Sequence, residues 1–517
     1  MKIDNALYNL IANLLLQFVT AAVGIILPRL IIEAYGSNMN GMISSINQFL
    51  RYLSLVEAGL GAASIAALYK PLAASNIGEV NAVLSASRLF YRRAGIIFAV
   101  LVVGCAVCYP FLVHGQVPVI TSSVMVLILA GSGLVEYFII GKYRVLLMAD
   151  QKSYVISLIQ TIGVILNAVV SVVLIMSGFD VLITQTAATL IFVSRVLLVK
   201  WYVRREYKEV NYRAVPNHKA LDRRWDAFIH QLNTLIVYAA PVVIITICCS
   251  LSEVSVYAVY NMVFVAVNMF VSAFSNGLMA SFGHVIASGE RGSLLRQFGA
   301  YEYMYYAVLT AAYACAAILI LPFLRLYTSG IHDAVYIRPE LAALFIVVGI
   351  VSNVRLPHYT LIQAAGHFRE TKYPSIVESI INLAVSIILV QWFGMIGVML
   401  GSICSHLYRT PELIRYTSKH ILEHSAKQTI VRIIRLVILS AIAITPFLFV
   451  FVPEPASVMN WLLWAIIAGT VVLFIIVIGN VLLEPETARQ VWKQVNRAIK
   501  KLKQRKGKGQ LDHDQTS

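Results

Sequence analysis

The fold of this chain is decided at residues 27–71, which read LPRLIIEAYGSNMNGMISSINQFLRYLSLVEAGLGAASIAALYKP. This stretch predicts one helix over about Met42–Leu68, long enough to cross a bilayer at ~1.5 Å per residue. Arg51 and Glu57 lie inside it, and each charge would cost roughly 2.5–3.5 kcal/mol if it faced lipid. We therefore expect both side chains to face protein or a water-filled cavity. Because they are six residues apart on a helix, they are not simply each other's ion pair.

Polar stripes accompany these charges. Arg51 shares a helix face with Ser44, Asn47, Gln48 and Ser54. The first predicted span carries a second stripe and the eighth a third; they consist of Asn5, Asn9, Asn13, Gln17, Thr20 and Gly24, and of Tyr257, Asn261, Asn268, Ser272, Ser275 and Asn276. Each residue could hydrogen-bond a neighbouring helix instead. A shared hydrated cavity accounts better for three stripes at comparable places.

The composition is that of an all-α polytopic membrane protein. Of 517 residues, 59% are hydrophobic and only 13% are charged. Apolar runs near twenty residues recur along the whole chain and predict about fourteen transmembrane helices. They lie at about 7–32, 42–68, 94–112, 122–143, 154–177, 180–203, 228–249, 254–282, 303–326, 339–361, 373–393, 395–414, 431–452 and 458–483.

The basic residues give an orientation. If the N-terminus is placed on the cytoplasmic side of the membrane, 35 of the 41 Lys and Arg residues fall in segments predicted to lie on that side. This bias predicts that both termini are cytoplasmic. It also explains the net charge of +16 without nucleic acid, because anionic lipids at the inner leaflet are the natural partners of such loops.

An internal repeat divides the predicted spans. The segment Asn167–Ser171 matches Asn382–Ser386 at a shift of 215 positions. Six spans separate the two copies, so the predicted lobes are parallel repeats. We expect a six-helix lobe with a basic linker at 1–213, a second six-helix lobe at 214–428, two additional helices at 429–483 and a basic cytoplasmic tail at 484–517.

Several chemistries have no support in the sequence. There is no GxxxxGK[ST] loop, so ATP hydrolysis is not expected. The eleven His residues show no metal-binding spacing, and no catalytic triad is indicated. We expect no enzyme activity, cofactor or metal.

The stretch LPRLIIEAYGSNMNGMISSINQFLRYLSLVEAGLG, followed by AALYKPLA and YRVLLMADQKSYVISLIQ, resembles the N-terminal half of Wzx-type polysaccharide repeat-unit flippases. These belong to the multidrug/oligosaccharidyl-lipid/polysaccharide exporter superfamily. The resemblance implies two bundles that expose a central cavity by alternating access. It implies transport of an undecaprenyl-pyrophosphate-linked oligosaccharide across the bacterial cytoplasmic membrane for O-antigen, capsule or exopolysaccharide. Polymerase and glycosyltransferases of the same pathway would be partners.

The resemblance also implies a cationic cavity, which Arg51 and Arg29 match. The chain departs from that pattern at Asn268, where a second cavity cation would be expected. The predicted substrate-binding residues are Arg51, Arg29, Asn47, Gln48, Asn13, Gln17, Asn261, Asn268 and Arg355, and Glu57 is the candidate ion-coupling residue. Three other functions stay open. They are a flippase for a peptidoglycan or teichoic acid precursor, a multidrug exporter of the same superfamily, and a membrane-embedded glycan polymerase or ligase. The last would need a large catalytic outer loop, and the longest predicted outer loop is only about residues 327–338.

Overall fold

A computed structural model describes residues 3–57, 60–217, 224–276, 279–449 and 457–493, and within these ranges the chain is helical with no strand. The first eight helices are α1 (Ile3–Tyr35), α2 (Ser37–Leu53), α3 (Leu60–Ala73), α4 (Ile77–Leu112), α5 (Val119–Val135), α6 (Gly141–Ala149), α7 (Ser153–Met176) and α8 (Val181–Glu206). The others are α9 (Arg224–Cys248), α10 (Leu251–Asn276), α11 (Met279–Ala287), α12 (Arg291–Tyr327), α13 (Pro339–Val354), α14 (Leu356–Ala365), α15 (Lys372–Phe393), α16 (Met395–His420), α17 (Lys427–Phe449) and α18 (Val458–Leu483).

Within the described ranges, eleven helical segments are long and apolar enough to cross a membrane. They are α1, α4, α5 with α6, α7, α8, α10, α12, α13 with α14, α15, α17 and α18. Large apolar side chains stand exposed along them, as at Phe18 and Leu482, which are both 74% exposed. This is the surface expected of a protein whose solvent is lipid. The chain is a multi-pass membrane protein, and the predicted all-α fold is confirmed.

The other three predicted spans are not among these eleven. Among the residues whose side chains are described, α9 is apolar over Leu235–Cys248, and α16 does not count as an apolar span. The prediction of one continuous helix over Met42–Leu68 is wrong. Helix α2 ends at Leu53, a 3-10 turn follows at Ser54–Glu57, and α3 begins at Leu60.

Hydrogen bonds account for this break. The Ser54 hydroxyl donates to the carbonyl oxygen of Arg51 at 2.7 Å, and the Tyr137 hydroxyl donates to the carbonyl oxygen of Ser54 at 3.0 Å. Two carbonyls at the end of α2 therefore accept bonds from side chains. Such side-chain bonds compete with the backbone ladder and favour an irregular turn.

Two other predicted spans are also interrupted. A π-helical turn, Glu136–Ile140, joins α5 to α6, and Arg355 separates α13 from α14. Pro357 has no N–H to bond the carbonyl of Asn353, which accepts the Tyr305 hydroxyl at 3.2 Å instead. At the break between α13 and α14, a proline and a side-chain hydroxyl thus replace a regular helical bond.

The N-terminal end of α2 is packed closely. The Ser37 N–H donates to Asp333 Oδ2 at 2.6 Å, which satisfies a donor that the first turn leaves open. At Gly41 a Cβ atom would lie 1.7 Å from the carbonyl oxygen of Leu251, so only glycine fits where α10 begins. These contacts fix the start of α2.

The chain forms two compact units. The first comprises Met1–Met262, Gly330–Tyr336 and Ser379–Ser402, and the second comprises Val263–Ser329, Ile337–Glu378 and Ile403–Ser517. Helices α9 to α16 follow the same order as α1 to α8, including the interruption in the fourth span of each series. The predicted lobe boundaries at 213 and 428 stay predictions.

Candidate functional site

Helix α2 carries an exposed polar stripe. Asn47, Arg51 and Ser54 are exposed and lie at helical spacings of four and three, so they share one face. The opposite face is apolar and buried, with Met42 and Ile46 at 0% exposure. No large apolar side chain is exposed between residues 37 and 57. This is the reverse of α1, whose exposed surface is rich in leucine, and it is the pattern of a helix that faces water.

Arg51 is the cation of this stripe. Its side chain forms no ion pair with any carboxylate among the described residues. Gln48, half-buried beside it, has a buried side-chain oxygen without a hydrogen-bond partner in the described part of the chain. The face therefore offers an uncompensated guanidinium with amides next to it, which are groups that recognise phosphate and sugar hydroxyls.

Glu57 lies at the break that follows α2 and does not pair with Arg51. Its Oε1 is 2.6 Å from Arg144 Nη2, and Glu136 Oε1 is 3.0 Å from Arg144 Nη1. One guanidinium thus holds two carboxylates, one from the 3-10 turn and one from the π-helical turn. The Tyr137 bond to Ser54 joins the same two turns. The two irregular segments of the first unit are connected to each other at this place.

The predicted residues of α1 are in different situations. Asn13 is exposed, and its Oδ1 accepts the Ser157 hydroxyl of α7 at 2.8 Å. One turn earlier, Asn9 accepts the N–H of Tyr154 at 2.7 Å. This part of the stripe joins two helices. Gln17 is exposed, and Arg29 is half-buried near the other end of α1.

The predicted residues of α10 are less exposed than those of α2. Asn261 is half-buried in the first unit. Asn268, in the second unit, accepts the Tyr313 hydroxyl and the Asn353 amide, each at 2.7 Å. Tyr313 and Asn353 are buried, so Asn268 belongs to an interhelical network.

Arg355 also lies in a charged cluster of the second unit. At the break between α13 and α14 it forms an ion pair with Glu378 of α15. His406 Nδ1 is 3.2 Å from the same carboxylate, and Arg409 Nε is 3.7 Å from it. All four side chains are buried or nearly so, with Arg355 at 13% exposure. Arg409 also forms an ion pair with Glu412, so the two arginines of this cluster are balanced by two carboxylates.

Sequence reasoning missed a second buried network in this unit. Arg432 Nη1 lies 2.7 Å from Glu302 Oε2, and His358 Nε2 lies 3.3 Å from Glu302 Oε1. Arg432 also pairs with Glu484, just beyond α18. In the sequence each charge flanks an apolar run and resembles an ordinary loop residue. The sequence did contain one indication of the network. These residues of opposite charge lie at the ends of different predicted spans, on the same predicted side of the membrane.

An apolar groove lies between α13, α16 and α17. Its volume is about 1070 Å³, and most of its walls are aliphatic, including Ile350, Val354 and Ile433. Arg415, Lys419 and Glu423 also line it, and Glu423 forms an ion pair with Arg291. Two cations with one already paired carboxylate suit an amphiphile with an anionic head.

Comparisons with known proteins concern the fold. No protein-family model matches the sequence, and no curated protein matches it. Among solved structures, the lipid II flippase MurJ in an inward closed conformation has a TM-score of 0.64 at 14% identity, covering 89% of this chain and 96% of that one. An inward-facing multidrug resistance MATE family transporter of the MOP superfamily has a TM-score of 0.60 at 15% identity, covering 78% and 95%. The chain has the fold that MurJ and MATE transporters share.

Proposed function

We propose that this protein is a flippase for undecaprenyl-pyrophosphate-linked oligosaccharide repeat units. It moves them across the bacterial cytoplasmic membrane by alternating access, without ATP hydrolysis, for assembly of a surface polysaccharide. The observation that carries the proposal is the water-facing stripe of α2, on which Arg51 has no ion pair among the described residues.

The chemistry of the substrate fits this stripe. A pyrophosphate carries negative charge that needs a cation in a poorly solvated site, and a guanidinium offers it a planar fork of donors. Sugars need amides and hydroxyls, which Asn47, Gln48 and Ser54 supply around Arg51. Gln17 and Asn261 are the remaining amides assigned to the oligosaccharide, with the side-chain NH₂ of Asn13, whose oxygen already accepts the Ser157 hydroxyl. Arg29 is a second cation for the phosphates.

The prenyl tail requires an apolar path. The groove between α13, α16 and α17 supplies apolar walls of suitable size within the second unit. A small organic cation needs neither such a groove nor a cationic site. The two features together favour a lipid-linked anion over the substrate of a multidrug exporter.

Another lipid-linked precursor is the alternative substrate. The fold is shared with MurJ, a lipid II flippase, and with MATE multidrug transporters, at identities that carry no substrate assignment. A peptidoglycan or teichoic acid precursor has the same anionic linkage and prenyl tail. The sugars bound near Arg51 would decide between these substrates.

Deletion of the gene distinguishes the proposed substrate from these alternatives. We expect a polyprenyl-pyrophosphate-linked repeat unit to accumulate in the cytoplasmic leaflet while lipid II stays at its usual level, because only one precursor loses its transporter. Accumulation of lipid II would support the cell-wall alternative. Loss of dye efflux with normal precursor lipids would support the multidrug exporter.

The proposal also includes the orientation of the protein in the membrane, its partners and its driving force. Both termini lie in the cytoplasm, anionic lipids bind the basic inner loops, and the polymerase and glycosyltransferases of the pathway act on either side of the transport step. Glu57 couples transport to an ion gradient.

A further inference from the structure

A cluster of like charges lies in the first unit, on α4, α6 and α8. Lys142 of α6 and Arg88 of α4 both contact Tyr212: the Lys142 ammonium lies 5.4 Å from the centroid of its ring, and the Arg88 guanidinium lies 3.2 Å from its carbonyl oxygen. Two cations of α8, Lys200 and Arg204, also act on the charge of Lys142. None of the four forms an ion pair with a carboxylate among the described residues.

The segment that follows α8 forms one wall of this cluster. Its Tyr212 carbonyl oxygen accepts the Ser85 hydroxyl at 2.8 Å and the Arg88 guanidinium at 3.2 Å. The Asn211 N–H donates to Asn81 Oδ1 at 2.8 Å. These bonds hold the segment against α4, so Arg88 and Tyr212 have fixed positions in the cluster.

Two tyrosine rings hold Lys142 in place. Tyr143 and Tyr212 meet edge to face with centroids 5.4 Å apart, and the Lys142 ammonium lies 4.9 and 5.4 Å from the two centroids. Cation–π contacts of this kind fix an ammonium without neutralising its charge. The positive charge therefore stays available to a ligand.

A buried donor points to the missing partner. The Tyr212 hydroxyl is buried without a hydrogen-bond partner in the part of the chain that the structure describes. Burial, reinforced by the neighbouring Tyr143, raises the pKa of Tyr212, so its hydroxyl stays protonated and can donate. A buried hydroxyl without a partner costs free energy, as do four cations without an anion. One ligand with several anionic oxygens would relieve both costs.

We propose that Arg88, Lys142, Lys200, Arg204 and Tyr212 bind the phosphate headgroup of an anionic phospholipid. The site lies at the end of membrane-spanning α8, where Leu197 and Trp201 are 69% and 59% exposed, so that acyl chains have an apolar surface beside the phosphate. Trp is enriched at the membrane interface, where headgroups lie. The inference rests on the part of the proposed function that assigns anionic lipids to the basic inner loops, and it involves no step of transport.

Titration calorimetry on the purified full-length protein in detergent tests the proposed lipid site. The protein is titrated separately with dioctanoyl-phosphatidylglycerol, dioctanoyl-phosphatidylcholine and sodium pyrophosphate. We expect phosphatidylglycerol to bind more tightly than both other probes. The double variant Arg88→Gln/Lys142→Gln should bind phosphatidylglycerol at least about tenfold more weakly, because two charge-assisted contacts are lost.

The matched control is Arg92→Gln/Arg93→Gln, which removes two exposed arginines from α4 outside the cluster. It should change the affinity by less than about twofold. Tyr212→Phe should weaken binding by about tenfold, because it removes only the hydroxyl. The cluster variant should unfold at nearly the same temperature as the parent protein, because the relief of repulsion offsets the loss of the Arg88 hydrogen bond and the Lys142 cation–π contacts.

Three results would overturn the proposal. Equal affinity of the parent and the cluster variant would exclude these cations, and unchanged binding by Tyr212→Phe would exclude the hydroxyl. Pyrophosphate binding as tightly as phosphatidylglycerol would assign the site to a free or lipid-linked pyrophosphate instead of a phospholipid.

Discussion

At the scale of single residues, Arg51 is the side chain on which substrate binding depends most. Arg51→Lys should keep partial export, because an ammonium keeps the charge but loses the planar fork. Arg51→Ala and Arg51→Gln should lose nearly all export while the protein level barely falls, since no carboxylate of the described chain depends on this cation. Outer-leaflet glycan and membrane protein are measured in the same cells.

The control is Arg92→Ala, another exposed arginine, which should export normally. If Arg51 were a structural partner of a buried carboxylate, its loss would cost roughly 3–5 kcal/mol. Protein and export would then fall together, contrary to the assignment.

Glu57 makes a second prediction at this scale. Glu57→Gln keeps an oxygen that can accept from the Arg144 guanidinium, so a hydrogen bond from a charged donor replaces the ion pair and the fold should persist. If Glu57 binds the coupling ion, uptake driven by an imposed H⁺ or Na⁺ gradient should lose its dependence on that gradient. Glu209→Gln, at an exposed carboxylate, should change nothing. Normal gradient dependence in Glu57→Gln would exclude the coupling role.

Particular residues also show what the sequence could not reveal. The presence of two charged residues, Arg51 and Glu57, in one apolar run correctly indicated a segment unlike the other spans. The partners of Glu57 and Asn268 could not be predicted, because Arg144 and Asn353 are 87 and 85 residues away along the chain. Polar spacing indicates a face but does not say which other helix meets it.

At the scale of elements, the apolar runs determined the helices and tertiary hydrogen bonds determined their interruptions. In the part of the chain that the structure describes, eleven apolar spans follow from hydropathy, since lipid-exposed backbone must satisfy its own hydrogen bonds. The turn at Ser54–Glu57 depends on Tyr137, which no local pattern could identify. The break at Arg355 was easier to anticipate, because Pro357 lies two residues later.

The contact of Glu484, which follows α18, with the first turns of α17 gives a prediction on stability. Burial favours the neutral form of Glu484, but hydrogen bonds from Arg432 and Thr487 and the contact with Arg435 outweigh it and lower the pKa of Glu484 to about 2. This carboxylate therefore stabilises the fold fully above its unfolded pKa of about 4.3, and the contribution is lost as the pH falls towards 2.

The variant Glu484→Gln measures that contribution. It should lower the free energy of unfolding at pH 7 by about 2 kcal/mol, because hydrogen bonds to a charged acceptor are lost. Thermal unfolding in detergent at pH 7 and at pH 3 checks this, with Glu486→Gln as the control nearby. A melting difference that stays constant between the two pH values would contradict the assignment of the stabilisation to this ionisation.

At the scale of the whole molecule, the distribution of basic residues predicts the topology. A reporter inserted within Arg204–Asp226 should be cytoplasmic, and so should one fused after Lys508, because the positive charges of these segments oppose their translocation. Reporter activity or cysteine labelling from each side of the membrane measures this. Labelling of either position from outside would contradict the orientation and the predicted number of spans.

The central claim is tested most directly in proteoliposomes that contain only the purified protein. A fluorescent undecaprenyl-pyrophosphate-linked oligosaccharide is included in both leaflets, and a membrane-impermeant reagent quenches the outer pool. With the parent protein and an imposed ion gradient we predict that the protected inner pool also becomes accessible, whereas with Arg51→Ala it stays protected. An inner pool that stays protected with the parent protein, or that Arg51→Ala makes equally accessible, would contradict the account.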